Sequence, residues 1–198
     1  MSFKAILFDV DGMVIRSKKF STQMQEQYGV SWDTMKPFFA GPFQACKIGK
    51  ADLKEELSHV MKDWRWNNTV ESLMKFWFEG GLEVNEQMTN LVSELREHGT
   101  RCYLSTNQEK HRLAFLRDEV GLGSLFDDIF SSCEIGHTKN ESVFFEHVYK
   151  TLHAQDPSLQ RSEILFADDH EENTTVAERA GFQTHLYKDF EAFEKLVI

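Results

Sequence analysis

The chain has 198 residues, 41% of them hydrophobic and 27% charged, which suffices for one buried core and a modest accessory unit. Its formal net charge of -10 excludes a surface built for nucleic acid or an anionic membrane, because such partners require clustered Lys and Arg. No run approaches the roughly 20 apolar residues of a membrane span, and acidic residues at positions 9 and 11 come too early for a secretory signal, so the expected location is the cytoplasm.

The first apolar run, from Phe3 to Phe8, is short and continuous and predicts a buried strand. It delivers Asp9, Asp11 and Gly12 at its carboxyl end, where parallel α/β sheets place their ligands. Period-two alternation puts both carboxylates on one face, and carboxylates that close suppress each other's ionisation unless a cation stands between them; Mg²⁺ is the expected ion. From Gly12 to Asn85 the pattern is helical without a convincing strand, with Leu53, Leu57, Val60 and Met61 sharing one face. This stretch reads as an inserted helical subdomain. Its large apolar residues (Trp32, Phe38, Phe39, Phe43, Trp64, Trp66, Phe76, Trp77, Phe78) are expected mainly to form a bundle core, with one or two facing a cleft. Hinges are expected from Met13 to Lys18 and from Gly80 to Val84.

Asn85 as an N-cap, Leu91, Val92 and Leu95 at helical spacing, and Gly99 just past the end define a helix. Strands and helices then alternate. Strands are expected from Arg101 to Ser105, Asp128 to Ser131, Ile164 to Ala167 and Gln183 to Leu186, with helices from about Glu109 to Val120, Glu141 to His153 and Glu172 to Ala180. The fold class is therefore α/β: a doubly wound, mostly parallel, Rossmann-like sheet with a small inserted α-helical unit. Cys46, Cys102 and Cys133 are odd in number and lack a Cys-x-x-Cys pair, which indicates neither a disulfide framework nor a zinc site.

Three further features fall at strand ends of the same domain: Thr106-Asn107, Lys139 and Asp168-Asp169. Alone, Asp-x-Asp is a common acidic-loop pattern. A helix-loop-helix calcium site is excluded, since it needs Gly at its sixth position and Gly12 is fourth from Asp9. Taken together and in this order, the features resemble the haloacid dehalogenase superfamily of phosphotransferases nearly end to end. The family's first motif matches Phe8-Asp9-Val10-Asp11-Gly12-Met13-Val14, its second Thr106-Asn107 with Ser105 as the alternative hydroxyl, its third Lys139, and its fourth Phe166-Ala167-Asp168-Asp169 followed by Asn173. Two positions depart from the pattern: Met13 replaces the usual Thr or Val, and Asn140 replaces Pro after the lysine. The insertion resembles the cap of the branch that includes phosphoglycolate phosphatase and β-phosphoglucomutase. On that reading residues 1–15 and 85–198 form the catalytic core and 16–84 the cap.

The resemblance implies an Mg²⁺-dependent phosphomonoester hydrolase acting on a small phosphorylated metabolite, as a monomer or weak dimer. Asp9 would be the nucleophile, forming an aspartyl-phosphate, and Asp11 the general acid and base, a role that needs a carboxyl pKa raised toward neutrality. Asp9, the main-chain carbonyl of Asp11, and Asp169, with Asp168 direct or through water, would hold the metal; Thr106, Asn107 and Lys139 would hold the phosphoryl oxygens. Electrostatics gives the same requirement. Like unit charges about 4 Å apart repel by roughly 1 kcal/mol in water and about 4 kcal/mol at an effective dielectric near 20. The four aspartates outweigh Lys139, so a divalent cation is needed, and oxygen ligands select Mg²⁺ over zinc. His170 is expected to be a loop polar residue rather than a ligand. Among cap cations Lys47, Lys50 and His59, the Gly49-Lys50 pair is the preferred substrate contact, which assigns Lys50 to substrate binding. The alternatives are a sugar-phosphate mutase on the same core, a 2-haloacid dehalogenase, for which Asp11 and Asp168-Asp169 would be superfluous, and a non-catalytic binding module.

Overall fold

A computed structural model describes residues 3–198. The strands are β1 (Ala5–Phe8), β2 (Ile15–Arg16), β3 (Glu83–Val84), β4 (Arg101–Thr106), β5 (Asp128–Ser131), β6 (Ile164–Asp168) and β7 (Gln183–Leu186). Five of them form one all-parallel sheet in the order β5-β4-β1-β6-β7, the doubly wound α/β arrangement expected. Every residue of β1 is buried, because helices cover both faces of a parallel sheet. Ile6, Phe8, Leu104 and Leu165 face one cluster with Met88, Leu91, Val92 and Leu95 of the helix Glu86–Glu97. The alternate residues Leu7, Tyr103 and Phe166 face a second, with Phe144, Phe145, Val148 and Leu152 of the helix Ser142–Gln155.

This order puts a topological switch at β1. The chain runs from β1 outward through β4 and β5, then returns to the other side for β6 and β7, so the carboxyl ends of β1, β4 and β6 open into one crevice. Register brings Phe8 opposite both Leu104 and Ala167, which sets Asp9 level with Ser105 of β4 and Asp168 of β6.

Between residues 20 and 79 five helices, Phe20–Tyr28, Trp32–Ala40, Pro42–Lys47, Leu53–Val60 and Val70–Glu79, pack around their own core of Phe20, Met24, Phe38, Leu57, Trp64 and Leu73, among others. Ser31, Asp52 and Thr69 cap three of them through side-chain oxygens. Two details differ from the sequence reading. A short antiparallel ladder, Ile15 with Val84 and Arg16 with Glu83, joins the two ends of the helical insert; two-residue strands are too short to show a period-two pattern. The helix expected from about Glu109 to Val120 is α-helical over Lys110–Ala114 and π-helical over Phe115–Glu119. The widened turn lets Leu113 and Leu116 bury against the sheet while Phe115 also touches the insert's core. Among the described residues, all three thiols are free and no helix is long and apolar enough to cross a membrane.

Candidate active site

The switch point concentrates charge. Asp9 leaves β1 with its N–H still bonded to the Ala167 carbonyl at 2.9 Å, and its buried carboxylate meets the ammonium of Lys139, with Nζ 2.5 Å from Oδ1. The same Nζ lies 2.6 Å from Asp168 Oδ2 and donates to the Ser105 carbonyl at 3.1 Å. Lys139 is only 2% exposed, so one buried cation bridges two buried anions. Burial pushes the Asp9 carboxyl up to about 7 against the pull of Lys139, and the negative charge of Asp168 adds to the rise. Burial alone would lower the Lys139 pKa, but Asp9 and Asp168 outweigh it and raise it.

Asp168 is saturated with donors: Lys139, the His170 N–H at 2.8 Å, and Asn173 Nδ2 at 3.1 and 3.0 Å to its two oxygens. Asp169 is more open, with its carboxylate against Gly12 and 2.5 Å from His170 Nδ1. A Cβ at Gly12 would stand 2.5 Å from Asp169 Oδ2, and its φ of +90° independently favours glycine. Ligand atoms of Asp9, Asp168, Asp169 and His170 lie within 4.8 Å of one another. Three carboxylates form a hard oxygen set that fits Mg²⁺; the imidazole is a softer group beside it.

Asp11 behaves differently from the sequence expectation. Arg112 grips its carboxylate bidentately, Nη1 to Oδ2 at 2.7 Å and Nη2 to Oδ1 at 2.6 Å, and Gln108 Nε2 adds a contact at 2.5 Å. Partial desolvation pulls the carboxyl up, but the hydrogen bonds and charge of Arg112, helped by Gln108, outweigh it and hold the pKa below its ordinary value. The expected rise toward neutrality is therefore corrected: an arginine the sequence reading left unassigned stabilises the carboxylate. Asp11's side chain also stands outside the four-residue ligand cluster.

The crevice holds a cavity of about 370 Å³ lined by Asp9, Thr106, Asn107 and Lys139 from the sheet side and by Gln44 and Lys47 from the insert. Thr106, not Ser105, borders it; the Ser105 hydroxyl is buried without a hydrogen-bond partner among the described residues. Asn107 Oδ1 accepts the Lys139 N–H at 2.9 Å, which fixes the lysine loop to the end of β4. Lys50 is exposed and does not line the cavity, which corrects its assignment. Gly49 abuts the Cys133 carbonyl, where a Cβ would come to 2.3 Å, and the turn there carries Lys50 away, leaving Lys47 three residues earlier to face inward. Gln108 precedes the N-cap Glu109 of the helix Lys110–Ala114 and Arg112 lies within it, so no helical spacing in the sequence pairs them on Asp11.

The insert is tied to the sheet unit beside this cavity. Asp52 meets Lys110 Nζ at 2.5 Å and His111 Nε2 at 3.0 Å, and Ser132 Oγ donates to the Lys47 carbonyl at 2.6 Å.

A doubly wound parallel sheet gathers Asp9, Asp168, Asp169 and Lys139 at its switch point, with a helical insert beside the crevice. Residues 3–181 match the family model of haloacid dehalogenase-like hydrolases, and the chain belongs to that family. A HAD family enzyme from Bacteroides thetaiotaomicron is similar over 99% of this chain and 98% of its own, with a TM-score of 0.77 at 20% identity. The same enzyme in complex with magnesium and inorganic phosphate gives a TM-score of 0.76 at 18% identity, covering 97% of this chain and 99% of that one. L-2-haloacid dehalogenase from Xanthobacter autotrophicus gives 0.64 at 18% identity over 92% of this chain and 76% of its own. At such identities these likenesses concern the fold. By sequence, the chain is 33% identical over 102 residues to a sesquiterpene phosphatase of Aspergillus oryzae, spanning 52% of this chain and 50% of the relative. It is 26% identical over 109 residues to drimenol cyclase of Aspergillus calidoustus, covering 54% of this chain and 20% of that protein. The matched region thus spans half or less of the curated relatives' lengths.

Proposed function

We propose that this chain is a magnesium-dependent phosphomonoester hydrolase working through an aspartyl-phosphate on Asp9, with residues 1–15 and 85–198 as the catalytic unit and 16–84 as a cap over the site. The observation that carries this reading is the buried ammonium of Lys139, 2.5 Å from Asp9 Oδ1 and 2.6 Å from Asp168 Oδ2 beside the cavity. Such a cation lets an anionic nucleophile face an anionic ester, whose repulsion would otherwise reach several kcal/mol. Asp9, Asp168 and Asp169 would hold Mg²⁺, which when bound supplies the remaining charge neutralisation at the phosphoryl group.

An Asp9 carboxylate oxygen attacks phosphorus, the ester P–O bond breaks, and the leaving oxygen takes a proton from Asp11, which for this step must carry that proton against the pull of Arg112. Water then attacks the phosphorus of the aspartyl-phosphate, Asp11 takes its proton, and the Asp9–phosphorus bond breaks to release inorganic phosphate. Arg112 favours the carboxylate form of Asp11, the form that the second half-reaction uses. Thr106, Asn107 and Lys139 bind the phosphoryl oxygens. The magnesium and phosphate of the Bacteroides thetaiotaomicron complex and the phosphatase name of the Aspergillus oryzae relative support a phosphate ester as substrate.

The test is hydrolysis of an aryl phosphate and a panel of phosphorylated small molecules by wild type and Asp9→Asn, each with Mg²⁺ and with EDTA. Turnover that needs Mg²⁺ and disappears in Asp9→Asn is expected; metal-independent turnover, or an Asp9→Asn enzyme as active as wild type, overturns the assignment.

A further inference from the structure

A second cavity, of about 540 Å³, adjoins the first. The two share Asp11 and His170, so they meet at the carboxylate assigned to the leaving oxygen. The character of the second is different. Its insert side carries four aromatic rings, Phe20, Trp32, Phe39 and Trp77, contributed by three separate helices. They form a continuous array: Phe20 stacks on Trp77 with centroids 4.7 Å apart, Trp32 stacks on Phe39 at 5.6 Å, and Phe39 meets Trp77 edge-on at 5.5 Å. A bundle core would cover such rings fully, yet Trp32 is 49% exposed and Phe39 and Trp77 are only partly buried. The rest of the lining is polar: Arg112 and Asp169 stand beside Asp11, and Arg16, Ser17, Lys18, Lys19 and Ser21 border the chamber where the insert begins.

We infer that this chamber receives the organic group of the substrate and that the group is a hydrocarbon, making the substrate class an amphiphilic phosphate monoester rather than a sugar phosphate. The inference rests on the phosphomonoesterase reading and deepens it. With the phosphoryl group among Asp9, Thr106 and Lys139, the ester oxygen lies toward Asp11, and the group beyond that oxygen passes into the chamber Asp11 borders. Trp32, Phe39 and Trp77 offer a hydrocarbon close contact, and Phe20, buried in the insert's core, stacks on Trp77. A sugar needs convergent hydrogen-bonding groups along its length; the aromatic wall supplies few, and of the polar groups where the insert begins Lys18 is already paired with Glu26. The volume falls within the range of about 300–1,000 Å³ typical of small-molecule sites.

A homologous series tests this: kcat/KM for ethyl, butyl, hexyl and octyl phosphate, with glucose 6-phosphate alongside, all with Mg²⁺ and below micellar concentrations. The expected result is a rise of at least about tenfold from butyl to octyl, with glucose 6-phosphate below octyl phosphate. Trp32→Ala, at a half-exposed position that does not support the bundle core, is expected to cut the octyl-to-ethyl ratio at least about fivefold; Trp77→Phe, which keeps an aromatic ring, is expected to preserve most of it. A flat series, or a preference for glucose 6-phosphate, overturns the hydrocarbon assignment and leaves the phosphatase standing. No turnover of any ester overturns the phosphatase reading and this inference with it.

Discussion

Replacing Lys139 by Met removes the one cation between two buried anions, and the structure fixes what that costs. Ligand oxygens of Asp9 and Asp168 lie within 4.8 Å of each other, and unit charges at that separation repel by about 3 kcal/mol at an effective dielectric near 20. Breaking a buried pair by deleting one partner costs about 3–5 kcal/mol, consistent with that figure. For a domain of this size the loss corresponds to a Tm decrease of roughly 6–20 °C. The penalty has a definite pH dependence. Asp9 is already raised to about 7 with Lys139 present, and without the lysine's pull the folded-state pKa of Asp9 rises further. A folded pKa above the unfolded value of about 3.9 contributes stability that is fully present below the unfolded pKa and is lost as pH rises through the folded one. Lys139→Met should therefore lose less stability near pH 5 than at pH 8. Adding Asp168→Asn should restore most of the difference by removing the repulsion. Urea unfolding of the four proteins of this cycle at both pH values, in EDTA, measures all of these effects. An equal loss at pH 5 and pH 8, or no rescue by Asp168→Asn, would refute the electrostatic account.

Other expectations follow from the same contacts. Arg112→Met should slow the second half-reaction more than the first, with a fall in kcat of roughly 10–100-fold and acid-stable phosphoenzyme accumulating in rapid-quench experiments; an unchanged phosphoenzyme level would remove Arg112 from that role. Gly12→Ala should lower Mg²⁺ affinity measured by calorimetry and destabilise the fold by about 1–3 kcal/mol, because the new Cβ collides with Asp169 in a left-handed backbone conformation. Hydrogen bonds from Lys110 and His111 overcome partial burial and depress the Asp52 carboxyl, so the stability it contributes is present above the unfolded carboxylate pKa and is lost as pH falls through the folded one. Asp52→Asn, which keeps an N-cap, should accordingly cost about 0.5–1 kcal/mol at pH 7 and less near pH 3. Urea midpoints that show the same cost at both pH values would exclude the ion pair as its source.

The sheet was readable because its central strands are buried on both faces and separated by well-punctuated helices: β1, β4 and β6 stand out as apolar runs, and Asn85 and Gly99 bracket a helix. The cavity positions of Asp9, Thr106, Asn107 and Lys139 depend on short strand-end motifs that sequence also displays. What sequence concealed were pairings between distant segments. Arg112 lies 101 residues from Asp11, and nothing local marks it as the partner that reverses the expected pKa shift. Lys50 and Lys47 look equivalent until the turn at Gly49 meets Cys133. The aromatic residues of the insert share a composition, yet Trp64 is sealed in its core while Trp32 opens onto a cavity, a difference set by helix orientation rather than residue type.

The ladder of Ile15 with Val84 and Arg16 with Glu83 makes the helical insert a closed excursion from the main chain. Its two ends already sit side by side as paired strands, about 5 Å apart, so residues 17–82 can be excised and replaced by a two-residue hairpin turn without stretching the backbone. The loop-closure cost of carrying a longer or different insert grows only slowly with length, about 0.6 kcal/mol per doubling. The neck thus makes the helical insert a replaceable module: a sheet unit of this design can exchange the surface over its crevice while the strand ends bearing Asp9, Thr106 and Asp168 keep their register.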